Sequence, residues 1–195
     1  GVVLVVGLLG LWFYGRPAYR HYRETRSAQQ AVSFMAKGDY RNASLSARQA
    51  LQRNPRNLDA CRVSAELADL SRSPLALDWR RRIAEVEPTF ENRLMLARTA
   101  LRVQEPPYAL AAQTLEELAD AGKSLGSYHA LCAELAIKLK NSGEAITRCE
   151  QASRLEPTNE LYQLNLAVLR LQSTNAAVTS EARTVLERLR TSDQL

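Results

Sequence analysis

"GDYRNASLSARQALQRNP", residues 38–55, is a turn, an amphipathic helix and a proline stop. Ala43 and Ala50 stand seven residues apart on one face, Leu51 follows, and Pro55 closes the phrase because proline cannot continue a helix. Taken alone the stretch is one helix with a single apolar stripe. Whether it stands alone or recurs decides the class of function, because repeat arrays bind and unique pockets can catalyse.

It recurs. "ARQALQRNP" ends at Pro55, "RRIAEVEP" at Pro88 and "CEQASRLEP" at Pro157, so the spacings are 33 and 69 residues, one and about two periods of 34. A period of this size marks a helical solenoid whose repeats stack to share a core. The phrase resembles the second helix of the tetratricopeptide repeat, a helix-turn-helix unit of that length. Ala43, Ala50, Leu51 and Pro55 follow its pattern behind the turn Gly38, Asp39 and Tyr40, and Ala145, Ala152, Leu155 and Pro157 repeat it. Small residues belong where helix backbones approach closely.

First helices carry the matching face. Tyr128, Leu131, Cys132 and Leu135 recur at i, i+3, i+4 and i+7. The third repeat fits less well: Leu94, Ala97 and Leu101 precede a break at Pro106 and Pro107, and Leu110, Leu115 and Leu118 follow it. The second is one residue short and has Pro74 where glycine is usual. After Pro157, Leu161, Leu164, Leu166, Ala167 and Leu169 form a helix whose partner spans 176–190. The expected fold is an all-α, right-handed solenoid of about five tetratricopeptide-like repeats over residues 27–190. Residues 191–195 form a tail or the start of a continuing chain. With only eight glycines and seven prolines in 195 residues, composition agrees with helix.

Ahead of the repeats, "GVVLVVGLLGLWFYG" is apolar throughout. Val2 to Tyr14 would span about 20 Å as helix, short of the roughly 30 Å hydrocarbon core, so the segment 1–15 reads as a truncated transmembrane anchor. A cleaved signal would need small residues at a cleavage site, but Trp12, Phe13 and Tyr14 stand there. A buried helix of the domain is the third reading. Trp12, Tyr14 and Tyr19 suit a membrane-interface belt, and Arg16, Arg20 and Arg23 suit headgroup phosphates. Residues 16–26 form a basic juxtamembrane linker, with His21 an interfacial residue beside Tyr19 and Tyr22. The net charge is +5, and residues 1–40 hold five basic groups against two acids. The excess therefore lies at the membrane flank, not in a basic stripe with stacking aromatics, so nucleic acid is not an expected partner. The positive-inside rule compares both flanks of a span, and one flank does not fix the side. An Arg-rich, Lys-poor composition suggests a bacterial origin, and with the single apolar segment the expected location is a bacterial inner membrane, crossed once.

Chemistry is sparse. His21 and His129 have no ligand spacing, and His129 is expected to be a partly exposed helix residue. Cys61, Cys132 and Cys149 form no C-x-x-C pair. Cys132 and Cys149 should face each other across one repeat as small hydrophobes, or as a disulfide in an oxidising compartment. No phosphate loop or nucleophile elbow occurs, and Glu116 and Glu117 point about 100° apart on a helix. No catalytic, cofactor or metal role is expected of any residue.

Asp59, Arg62, Glu66 and Asp69 recur at i, i+3, i+7 and i+10, one face of the second repeat's first helix. In the family that the sequence resembles, first helices line a groove that holds partner peptides, so this stripe either reads charges on a ligand or forms intrahelical salt bridges. "WRRR", Trp79–Arg82, spreads its arginines over some 200° and cannot be one clamp; Trp79 is expected to pack and the arginines to be solvated. The reading is a membrane-anchored scaffold that binds other proteins or peptide segments. The alternatives are a permanent subunit of a membrane complex or filament, and the helper region of an enzyme with a catalytic domain beyond Leu195.

Overall fold

The computed structural model describes residues 16–191, with side chains from Tyr22 onward. The proposed anchor 1–15, with Trp12 and Tyr14, lies outside the described residues, as do the side chains of Arg16, Tyr19 and Arg20 and the tail from 192. Eleven α-helices and no strand occur among the described residues. No described helix is long and apolar enough to cross a membrane. The chain divides between Asn92 and Arg93 into two compact units.

In the N-terminal unit, α1 (Arg16–Ala36) pairs with α2 (Tyr40–Arg53), and α3 (Leu58–Leu70) with α4 (Leu75–Val86). The stretch 16–26, expected as a linker ahead of the repeats, is the first half of α1. Its Glu24 is buried, and its Oε1 accepts from Asn54 Nδ2 at 2.7 Å and Asn57 Nδ2 at 2.8 Å. The first repeat therefore begins upstream of residue 27, and its first helix is tied to the loop that follows its second. The core between α1, α2 and α3 is Ala28, Ala31, Ala43, Ala47, Ala50, Ala60 and Val63, with Phe34, Met35, Leu51 and Leu67 packed against it. Alanine lets the backbones come close, and the larger side chains fill the margins. Cys61, Ala65 and Ile83 continue the packing toward α4 beside Trp79.

The C-terminal unit contains most of α5 (Phe90–Val103), then α6 (Ala109–Glu117), the single turn α7 (Ala119–Gly122), α8 (Gly126–Lys138), α9 (Ser142–Leu155), α10 (Glu160–Arg170) and α11 (Ala176–Arg190). Arg93 and Glu117 stand 3.7 Å apart. Leu101, Leu115, Leu131 and Ala136 are buried, and so are Ala145, Cys149 and Ala152 on the face of α9 that the sequence pattern assigned inward. Gly126 leaves room for its neighbours: a Cβ there would lie 2.5 Å from Glu156 Oε1 and 3.0 Å from the ring of Tyr162, so the Glu156 side chain would have to shift. Positions 24 and 126 thus each meet a junction residue 30 places on, Asn54 and Glu156. In the first case a carboxylate fills the gap, and in the second the helix is pared to glycine.

The turns keep time better than the prolines. Positive φ occurs at Gly38 (73°), Arg72 (51°) and Lys140 (59°), 34 and 68 residues apart. Each follows the first helix of a pair and directly precedes a side chain that accepts from the first turn of the second: Asp39 from Asn42 N, Ser73 from Leu75 N and Asn141 from Glu144 N. The missing residue of the second repeat is consequently not in its turn. It falls between Arg72 and the end of α4, where 14 residues, 73–86, stand in place of the 15 that follow Gly38 and Lys140 to the ends of α2 and α9. Position 106 would carry the next left-handed residue, but proline holds φ near −65°. In that repeat Tyr108, at φ 57°, takes the left-handed conformation and directly precedes α6.

A Cβ at Gly38 would have nothing within 4 Å, so its substitution tests backbone conformation alone. Gly38→Ala is expected to destabilise the N-terminal unit by about 1 kcal/mol. Arg72→Gly and Lys140→Gly each relieve a left-handed non-glycine residue and should raise stability by several tenths to about 1 kcal/mol. Urea unfolding followed by circular dichroism measures all three.

Candidate functional site

The four charged residues on α3 converge on one groove. Its volume is about 650 Å³, and Asp59, Arg62, Glu66 and Asp69 line it together with Val63 and Leu70 of the same helix. The opposite wall comes from α1, through Val32, Met35 and Ala36, and from Tyr40, the first residue of α2. Val32, Tyr40 and Leu70 are 45%, 51% and 59% exposed, so the groove offers water an apolar surface. Sequence spacing placed the charges on one face but missed these apolar partners, which come from two helices earlier in the chain. Val32 and Met35 lie one turn apart on α1, a weak signal that becomes legible only once α1 is known to pack beside α3.

The charges are not equivalent. Arg62 Nη2 donates to Glu87 Oε2 at 2.5 Å, and its Nη1 stands 3.7 Å from Asp59 Oδ1. Asn92 Nδ2 donates to the same Glu87 oxygen at 2.9 Å, so Arg62 is tied to the segment after α4. Arg80 Nη2 donates to Asp69 Oδ2 at 2.9 Å, where both side chains are largely covered. The pairs of Arg62 with Glu87 and of Asp69 with Arg80 join α3 to later elements, whereas that of Asp59 with Arg62 is intrahelical. Glu66 is exposed and has no side-chain partner among the described residues. It is the stripe residue available to an incoming group.

The arginines of "WRRR", expected to be solvated, have three separate partners. Arg80 holds Asp69, Arg81 stands 3.5 Å from Asp78, and the Arg82 guanidinium lies 5.1 Å above the Trp79 ring. Arg23, assigned to the membrane interface, accepts at its backbone carbonyl from Ser27 Oγ at 2.9 Å.

In the C-terminal unit the register shifts the chemistry. Asn57 caps α3 and Asn159 caps α10, 102 residues or three periods of 34 apart. Carrying the charged stripe of α3 forward by that interval reaches Leu161, Leu164, Val168 and Leu171 on or just after α10. Leu161, Val168 and Leu171 are exposed. One register position is charged on α3 and apolar on α10.

His129, expected to be partly exposed, is buried. Its Nε2 lies 3.0 Å from the Lys123 carbonyl oxygen and its Nδ1 3.5 Å from Arg148 Nη1. A carbonyl only accepts and a guanidinium only donates, so the proton belongs on Nε2 and the ring has a structural role. The ring meets Tyr128 edge-on at 5.3 Å. Cys61, Cys132 and Cys149 are free thiols, and burial pushes each of them up from the ordinary thiol range. Among the described residues no group of His, Cys, Asp and Glu is arranged to hold a metal ion.

Two predictions follow from these partners. Asp69→Asn should cost about 1 kcal/mol by weakening its pair with Arg80, whereas Glu66→Gln should change stability by less than about 0.5 kcal/mol; chemical denaturation separates them. Tyr128 donates to the Leu115 carbonyl at 3.1 Å, and burial, with Cys132 beside it, pushes its phenol from 10 up to about 12. The folded pKa of this acid exceeds the unfolded one, so its contribution to stability is complete below pH 10 and is lost as pH rises through about 12. Tyrosinate absorbance and helicity should change together over that window, and Tyr128→Phe should remove the coupling.

No family model and no curated protein sequence matches the chain. Solved structures do. MamA from residue 41 to its end, from Desulfovibrio magneticus RS-1, is 15% identical, with a TM-score of 0.74 over 88% of this chain and 98% of that one. Another crystal structure of MamA gives 13% and 0.68 over 86% and 90%. PilF of Pseudomonas aeruginosa gives 16% and 0.67 over 87% and 77%. At such identities the likeness shows the fold alone: the chain has the helical-repeat fold of these tetratricopeptide-type proteins.

Proposed function

We propose that the chain is a protein-binding scaffold that receives a partner segment in the groove between α1 and α3, and that residues 1–15 hold it at a membrane. The groove carries this reading: a preformed concave surface with exposed apolar side chains and one uncommitted charge. A preformed surface loses little conformational freedom on binding, so a modest set of contacts suffices to hold an extended or helical segment. The likeness to MamA and PilF supports an interaction scaffold at the level of fold.

A second reading has its own observation. The exposed apolar stripe of Leu161, Val168 and Leu171 favours permanent packing into a larger assembly. The two are told apart by purification in mild detergent: a scaffold is obtained alone, a structural subunit only with fixed stoichiometric partners.

For the groove, Leu70→Ser together with Tyr40→Ser should abolish capture of partners from solubilised membranes while leaving helicity unchanged; undiminished capture would remove the groove from the proposal. For the tether, chain lacking residues 1–15 should leave the membrane fraction, and sedimentation with membranes in high salt would show that the segment is not the anchor.

A further inference from the structure

We infer that the groove of the N-terminal unit is selective for a protein segment that sets a Lys or Arg beside its apolar side chains. The inference rests on the groove being a protein-binding site and adds the chemistry of the occupant. The floor and far wall are apolar through Val32, Met35, Val63 and Leu70, and the charged rim all comes from α3. On that rim three carboxylates, Asp59, Glu66 and Asp69, stand against one guanidinium, Arg62. Partners that reach these groups from outside the groove include Glu87, which holds Arg62, and Arg80, which holds Asp69. With both included, four carboxylates face two guanidinium groups, an excess of two negative charges on a chain whose net charge is +5. The local sign is therefore opposite to that of the molecule.

The disposition of the pairs sharpens the point. Arg62 is drawn to Glu87 and Asp59, so it is poorly placed to greet an acidic ligand. Glu66 projects between the two committed positions, one turn from each of Arg62 and Asp69, beside the exposed side chain of Leu70. A cation arriving there meets a carboxylate that has no ion pair to give up, while an anion meets the excess. Membrane phosphates and nucleic-acid phosphates are disfavoured on the same ground, and the apolar walls call for side chains rather than a free small cation. A helical or extended segment with apolar residues for Val32, Met35 and Leu70, and a basic residue within one turn of them, satisfies both features.

The test is selection of a random library of displayed 12-residue peptides on the immobilised full chain in mild detergent, repeated on Glu66→Lys and Leu70→Ser. Circular dichroism verifies that each variant keeps its helicity. The expected result is enrichment of peptides that combine apolar residues with Lys or Arg, a switch toward Asp or Glu on Glu66→Lys, and loss of the enriched peptides on Leu70→Ser. A single enriched basic peptide should lose at least about tenfold in affinity on Glu66→Lys. Enrichment that depends on Leu70 but shows no basic preference, or is the same on Glu66→Lys, overturns the charge selectivity and leaves the groove as a binding site. No enrichment above the bare matrix, or enrichment indifferent to Leu70→Ser, overturns the groove reading and the selectivity with it.

Discussion

Close approach of helices through alanine is the constraint on which the N-terminal unit depends. Ala28 and Ala31 of α1, Ala43, Ala47 and Ala50 of α2, and Ala60 of α3 are all at most 1% exposed. None of them fills much volume, so cohesion comes from short backbone separation and from the larger side chains, Phe34, Met35, Leu51 and Leu67, packed around the seam. Close packing leaves little tolerance in helix direction. The loops must then be fixed as well, which is what Glu24 does by holding Asn54 and Asn57, and what the left-handed turns do between helices.

The repeat was legible because its packing residues are also its sequence signature. Ala43 and Ala50, and Ala145 and Ala152, are small for a physical reason, and all four are buried. The helix expected over 176–190 is found over those same residues. What escaped notice has physical causes too. Arg72 and Lys140 adopt the conformation that Gly38 advertises, but neither residue type announces it, so the phase was taken from prolines and the glycine-equivalent position of the second repeat was read at Pro74, two residues past Arg72. Glu24 looked like one more charge in a basic linker, because a buried carboxylate is recognisable only with its amide donors, 30 and 33 residues away. His129 sits on a helix whose pattern is apolar nearly all round, so no polar face marked its orientation.

The candidate groove was half legible. Charge spacing on α3 found one wall, while the other belongs to α1, and the committed pairs with Glu87 and Arg80 come from segments that sequence spacing cannot bring together. The effect of those pairs is to divide the stripe by role. Arg62 and Asp69 join α3 to neighbouring elements, and Glu66 is left on the surface. Conversely, on α10 the same register position has become apolar. The repeat fixes where a side chain stands and leaves its chemistry to vary, so distant repeats of one chain can present unlike surfaces.

The two walls of the groove have a thermodynamic consequence. Val32 and Met35 belong to α1, and Leu70 to α3. An occupant that touches both walls binds only while the two helices are docked, so it must hold them together with the free energy of its own binding. The helix α1, which follows residues 1–15 in sequence, would be strapped to its neighbour by the cargo. Occupancy and cohesion of this unit are then one equilibrium, and loss of cargo is felt first where α1 meets the rest.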